Sequence, residues 1–264
     1  MLALGVLVAA GGLMWAGHAL ASSVAGRSSR SGMTSERTSK GLKQTKRVIT
    51  NVSITAAVAA YPLMRGAEPL TYYGGLLPLD GRAWACLQGF FAAVLYMGLM
   101  FLGWVATDNL RFRIRHRPGR LASRLAAVPF SAALGALTEE LLFRGMVVAD
   151  LLDSLGAVPA VAIGALVFAG AHYLRRVKRY WTFAGHLVLG GLLCATFVWT
   201  RALWLPIGLH AGGILLTLGT RPFVRYTGPA WLVGASVFPY AGAVGMLALV
   251  LLTISMWLTY GGSL

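Results

Sequence analysis

The order of apolar and polar residues along the chain predicts helices of membrane length. A bilayer crossing needs roughly 20 mainly apolar residues, and such runs cover about residues 1–25, 48–64, 83–106, 125–152, 155–174, 181–200, 202–220 and 231–258. Polar residues gather between the runs, and almost nothing is left for a water-soluble domain. The pattern predicts an all-α, polytopic membrane helix bundle of about eight transmembrane helices. It divides into an N-terminal apolar helix with a basic, flexible connector (1–47), accessory helices (48–124), a helix core that carries the intramembrane charges (125–220), and a C-terminal helix (221–264).

Composition agrees. Of 264 residues, 57% are hydrophobic and only 12% charged, and the mean hydropathy is +0.70, well outside the range of ordinary soluble domains. The net charge of +15 points first to a nucleic-acid partner, but its distribution argues against one. Nineteen of the 23 Lys and Arg residues fall in four connectors, 27–47, 107–124, 175–180 and 221–225, which eight spans would thread to one side. The positive-inside rule assigns that side to the cytoplasm and gives the charge an anionic-lipid partner rather than nucleic acid. Both termini then lie outside, in what is expected to be the plasma membrane. Ala19-Leu20-Ala21 resembles a signal-peptide cleavage site, yet no Lys or Arg precedes the first apolar run, and a retained helix is expected. Cys86 and Cys194 lie in different spans and read as packing residues.

One stretch breaks the apolar pattern. Thr138-Glu139-Glu140-Leu141-Leu142-Phe143-Arg144-Gly145 places two carboxylates and a guanidinium in mid-span, where each charge costs about 2.5–3.5 kcal/mol and marks a functional site by default. Glu140 and Arg144, four apart on a helix, share a face and can pair. One arginine cannot neutralise two acids, so Glu139 becomes the candidate general base. Measured from the turn near Ser154-Leu155-Gly156, Glu139 and His172 lie at nearly the same depth in antiparallel neighbours. His210 falls mid-span in the run 202–220, and His186 near the cytoplasmic end of 181–200 is a secondary candidate. His18 and His116 are not placed to join them. The chain has no H-E-x-x-H, G-x-S-G or G-x-G-D motif. A Glu/His/His set remains, able either to activate water directly or to hold a zinc ion with an open position.

Three segments together resemble a family. Glu139-Glu140-Leu141-Leu142-Phe143-Arg144, then Phe168-Ala169-Gly170-Ala171-His172, then His210 look like the E-E-x-x-x-R, F-x-x-x-H and H-x-x-x-N/D motifs of the CPBP family, also called Abi or CAAX-protease-like, over about residues 125–218. The resemblance implies an intramembrane endopeptidase acting on a membrane-associated protein or peptide. It implies that Glu139 activates the attacking water, that His172 assists, that His210 stabilises the oxyanion and that Glu140 pairs with Arg144, with Phe168 as motif support. No cofactor is required in this glutamate-type reading; if a metal such as zinc is used, Glu139, His172 and His210 are its candidate ligands. One position departs from the pattern: Ile214 stands where the third motif has Asn or Asp. A non-catalytic scaffold or immunity protein of the same fold is therefore the alternative, with a proton-coupled transporter behind it.

Overall fold

The computed structural model describes residues 1–30, 35–114, 118–173, 182–234 and 238–263. The basic connector 175–180 and His116 lie outside the described residues. The chain forms two compact units, Met1–Tyr72 and Tyr73–Leu264.

In the first unit, helices α1 (Leu2–Arg30) and α2 (Ser35–Met64) pack on each other. The connector expected to be flexible is therefore largely helical. Its Lys, Arg, Glu and Gln residues are good helix formers, and their polarity does not prevent α2 from extending back to Ser35. His18 is absorbed by this pair of helices: its Nε2 lies 2.9 Å from the Lys46 carbonyl and 3.1 Å from the Thr50 hydroxyl. A short helix α3 (Pro69–Leu76) follows.

The second unit is a helix bundle built from α4 (Trp84–Ala106), α5 (Pro118–Glu140), a π-helical stretch (Leu141–Val148), α6 (Ala149–Leu155), α7 (Ala157–Tyr173), α8 (Thr182–Thr200), α9 (Trp204–Thr220), the single turn α10 (Ala230–Val233) and α11 (Ala243–Tyr260). Among the described residues five helical segments are long and apolar enough to cross a membrane: Leu2–Ala25, Gly81–Ala106, Pro118–Leu155, Thr182–Thr200 and Ala243–Tyr260. Two shorter apolar helices, Ala157–Tyr173 and Trp204–Thr220, complete the set. The chain is an all-α membrane protein. A two-stranded antiparallel ribbon, β1 (Leu110–Phe112) with β2 (Val224–Tyr226), joins the segments that follow α4 and α9.

The run 231–258 is not one helix. Gly234 has a φ of +71°, and the short turn Pro239–Ala241 precedes the start of α11 at Ala243. Proline lacks the N–H a helix interior needs, and glycine takes the left-handed conformation at little cost. The turn after α6 is where the sequence put it, at Gly156 with a φ of +83°. Asp150 of α6 is buried, at 7% exposure.

Helix α9 is the bundle's axis, contacting α4, α5 and α8. Small residues set its approach to α4. A Cβ on Gly212 would fall 2.6 Å from the Phe90 carbonyl oxygen, and one on Gly89 would fall 2.6 Å from that of Leu205. Membrane helices associate by such close backbone packing, because lipid supplies no hydrophobic drive between them. Replacing Gly212 by Leu should therefore lower stability by about 1–3 kcal/mol through overpacking, read as a fall in the thermal midpoint of the detergent-solubilised protein. An unchanged midpoint would show that α4 and α9 do not pack this closely.

Candidate active site

Four helices and the π-helical stretch bring the polar residues of the core together. Glu139 and Glu140 end α5, and Arg144 lies in the π-helix that follows. Such wide turns are rare and occur often at functional sites. His172 ends α7, His186 is in the first turns of α8, and His210 is near the middle of α9.

Glu140 and Arg144 are fully buried. The guanidinium donates to Glu140 Oε1 at 3.0 Å and to the Gly190 carbonyl at 3.2 Å, while its flat face lies 4.6 Å from the centre of the Phe168 ring. The same Glu140 oxygen accepts from His210 Nδ1 at 2.7 Å. This anchors His210 through its inner nitrogen and leaves its outer one, Nε2, 3.8 Å from Glu139 Oε2. His172 is held in the same way: its Nδ1 donates to the Phe168 carbonyl at 2.9 Å and its Nε2 lies 3.3 Å from Glu139 Oε2. A carbonyl or carboxylate oxygen only accepts, so the Nδ1 of each ring carries hydrogen. Both rings thus turn Nε2 toward Glu139, whose side chain keeps 24% of its surface accessible.

The equal depth expected of Glu139 and His172 is matched by the 3.3 Å contact. Phe168 stands among the groups it supports, with ring centres 5.1 Å from Phe143, 4.4 Å from His172 and 6.1 Å from His210. His186 packs beside His172. It is buried, stacked 4.6 Å from His172 and bonded to the Tyr240 hydroxyl at 3.0 Å.

The accessible side of Glu139 faces a cavity of about 270 Å³. Glu139, His172 and His210 form its polar end, and Met97, Leu192, Leu249 and Leu252 are among its apolar walls. Ile214 and Thr217 of α9 also line it. Ile214 presents no hydrogen-bond donor, and Thr217 sits about two helical turns beyond His210, too far along α9 to share one small anion with it. Tyr96, Phe238 and Tyr240 line the cavity as well, and sequence reasoning did not nominate them. The signal for the last two was Gly234, Pro239 and Gly242, which interrupt a run read as one span.

Among the described residues no three His, Cys, Asp or Glu side chains converge closely enough to hold a metal ion. The donors of Glu139, His172 and His210 have the right chemistry for zinc, with the two Nε2 atoms 3.3 and 3.8 Å from Glu139 Oε2.

The buried pair makes an energetic prediction. Removing one partner of a buried ion pair strands the other and costs about 3–5 kcal/mol. Arg144→Met should therefore destabilise the protein strongly, and adding Glu140→Gln to it should restore part of the loss. Unfolding midpoints in detergent measure both; a single variant as stable as the parent would mean that Glu140 does not depend on Arg144.

Two comparisons with known proteins find nothing: no curated protein and no solved structure matches the chain. A third finds that residues 121–216 match the family model described as Rce1-like, type II CAAX prenyl endopeptidase Rce1-like. That stretch contains both carboxylates, Arg144, Phe168, His172, His186 and His210, and the match gives the chain a membrane-protease kind of function. Residues 121–216 of this integral membrane protein are thus similar to the Rce1-like type II CAAX prenyl endopeptidase family, consistent with the CPBP, or CAAX-protease-like, resemblance of its motifs.

Proposed function

We propose that the chain is an intramembrane endopeptidase that hydrolyses a peptide bond of a membrane-associated protein or peptide with water activated by Glu139. The observation that carries this reading is the placement of Glu139 Oε2 between the Nε2 atoms of His172 and His210, at 3.3 and 3.8 Å, on the wall of a largely apolar cavity.

Water held against Glu139 and His172 gives a proton to the Glu139 carboxylate as its oxygen bonds to the scissile carbonyl carbon. The carbonyl oxygen becomes an alkoxide facing His210. To donate to it, His210 must carry hydrogen on both nitrogens, because the Nδ1 hydrogen is committed to Glu140. The imidazolium this requires is supported by the buried Glu140 carboxylate. With Arg144 positive, Glu140 negative, His210 positive and Glu139 negative, the four charges balance. Collapse of the tetrahedral intermediate then breaks the C–N bond. His172, beside Glu139, passes the abstracted proton to the leaving nitrogen, giving a free amine and a new carboxyl terminus. None of these steps calls on a metal.

The basic connectors support a plasma-membrane orientation with those connectors cytoplasmic and both termini outside, in contact with anionic headgroups. The second reading, a non-catalytic scaffold or immunity protein, is favoured by Ile214 alone. Loss of one oxyanion donor costs about 10²–10³ in rate, which fits a slow enzyme as well as an inactive one.

In membranes carrying a candidate substrate, the wild type should generate both the N- and C-terminal fragments, while Glu139→Gln and His172→Ala should generate neither. Fragments that persist in both folded variants would sink the peptidase reading. Ile214→Asn, which returns an amide donor to the third motif, should raise the cleavage rate about tenfold or more. A lower rate would mean that the oxyanion already has its donors and that the isoleucine serves packing or substrate shape.

A further inference from the structure

Among the described residues of the second unit, His186 is the one histidine with no part in the chemistry above, yet its surroundings are as specific as those of the others. It is 2% exposed. Its Nδ1 lies 2.6 Å from the Thr182 carbonyl, one turn back in α8, and its Nε2 lies 3.0 Å from the Tyr240 hydroxyl. The carbonyl only accepts, so Nδ1 carries a ring hydrogen, and with the ring neutral Nε2 accepts from the tyrosine O–H. Both nitrogens are thereby engaged. Phe238 meets it edge-on with ring centres 4.7 Å apart, and Tyr240 does so at 5.5 Å.

One face of this fixed ring lies against His172. The centres are 4.6 Å apart and the planes 24° from parallel. The Phe168 ring also lies against His172, with centres 4.4 Å apart, and the imidazole hydrogen-bonds its own helix through Nδ1. That bond and the ring packing act on the same torsion, the rotation that swings Nε2 toward or away from Glu139. Such a terminal torsion is broad on its own. Packing aromatic rings against it narrows the range.

We infer that His186, pinned by the Tyr240 hydroxyl, is a positioning residue for His172: it holds the His172 ring at the angle that keeps Nε2 on Glu139. The inference rests on the proposed peptidase chemistry only for what His172 then does. The neutral state of His186 also matters. When His172 receives a proton, a neutral π face beside the new cation attracts it, whereas a second cation would repel it. Tyr240 lines the cavity, so one residue of the cavity wall is joined through His186 to the His172 ring. The segment that supplies it, Phe238 to Gly242, lies outside the three family motifs.

The test uses the full chain in detergent micelles with histidines labelled in ¹³C and ¹⁵N, and separately a pool of internally quenched peptides with apolar central residues. In wild-type protein His186 should show the Nδ1–H tautomer, and His172 should carry the ring-current shift of a stacked neighbour. His186→Leu, which keeps bulk and loses the flat ring, should abolish that shift and lower kcat about ten- to a hundredfold, with KM within about twofold. His186→Phe should restore the shift and most of kcat. Tyr240→Phe, a smaller change that leaves the ring in place, should broaden the His186 signals and lower kcat about threefold. Unchanged His172 signals in His186→Leu would overturn the inference, as would a folded His186→Leu protein with wild-type kcat or one whose loss lies wholly in KM. If the wild type cleaves none of the pool, the peptidase reading fails for those substrates, and the resonance shifts alone decide the positioning role.

Discussion

A single carboxylate oxygen organises the core. Glu140 Oε1 accepts from Arg144 at 3.0 Å and from His210 at 2.7 Å, and all three side chains are buried. In a setting without water, every one of these groups would be costly alone. Together they tie α5, the π-helical stretch and α9 at one point, and the second bond of Arg144, to the Gly190 carbonyl, adds α8. The network engages Glu140 in the interior and leaves Glu139 outside it. Adjacent residues on a helix point in different directions, so only one of the two acids can join the buried cluster. The other faces the cavity.

The backbone arranges itself to permit that division. The π-helical stretch begins at Leu141, directly after the acid pair, and its wider turn carries Arg144 back over Glu140 while Phe143 turns toward Phe168 and the histidines. Gly145 fits beside Tyr73, where an added Cβ would lie 3.0 Å from the ring. The α4–α9 crossing, close because of its glycines, holds His210 at the required level. Close helix packing and a buried polar network are thus one solution. The network needs side chains brought within hydrogen-bond distance, and small residues allow the backbones to come that near.

Much of the site was legible in the sequence because its signals were local or countable. Charges inside an apolar run are conspicuous, the i, i+4 spacing of Glu140 and Arg144 is a helix rule, and the depth of His172 follows from a rise per residue and a turn. The role of His210 in binding Glu140 was not countable in that way, since it depends on which face α9 turns inward. Tyr240 and Phe238 were hidden for a different reason. Hydropathy reads 231–258 as one span, and it averages over Gly234, Pro239 and Gly242, which end one turn of helix and start another. Hydropathy failed again, in the opposite sense, at the basic connector, where a polar segment taken as flexible forms helix.

The departure at Ile214 acquires a physical setting from these contacts. Its Cδ1 would lie 3.7 Å from a Cβ on Gly135 of α5, and it forms part of the cavity wall. An amide there would face both an apolar cavity and an apolar helix, and would need a partner in each state of the site. Isoleucine needs none. The wall beside His210 is accordingly apolar, and the polar end of the cavity contracts to Glu139, His172 and His210. A peptide substrate of the proposed kind would meet the carboxylate and the two imidazoles at that end and apolar side chains at Leu192, Leu249 and Leu252. On the proposed chemistry, the exchange of amide for alkyl trades transition-state stabilisation for a cavity that orients its substrate by the contrast between one polar end and its hydrophobic walls.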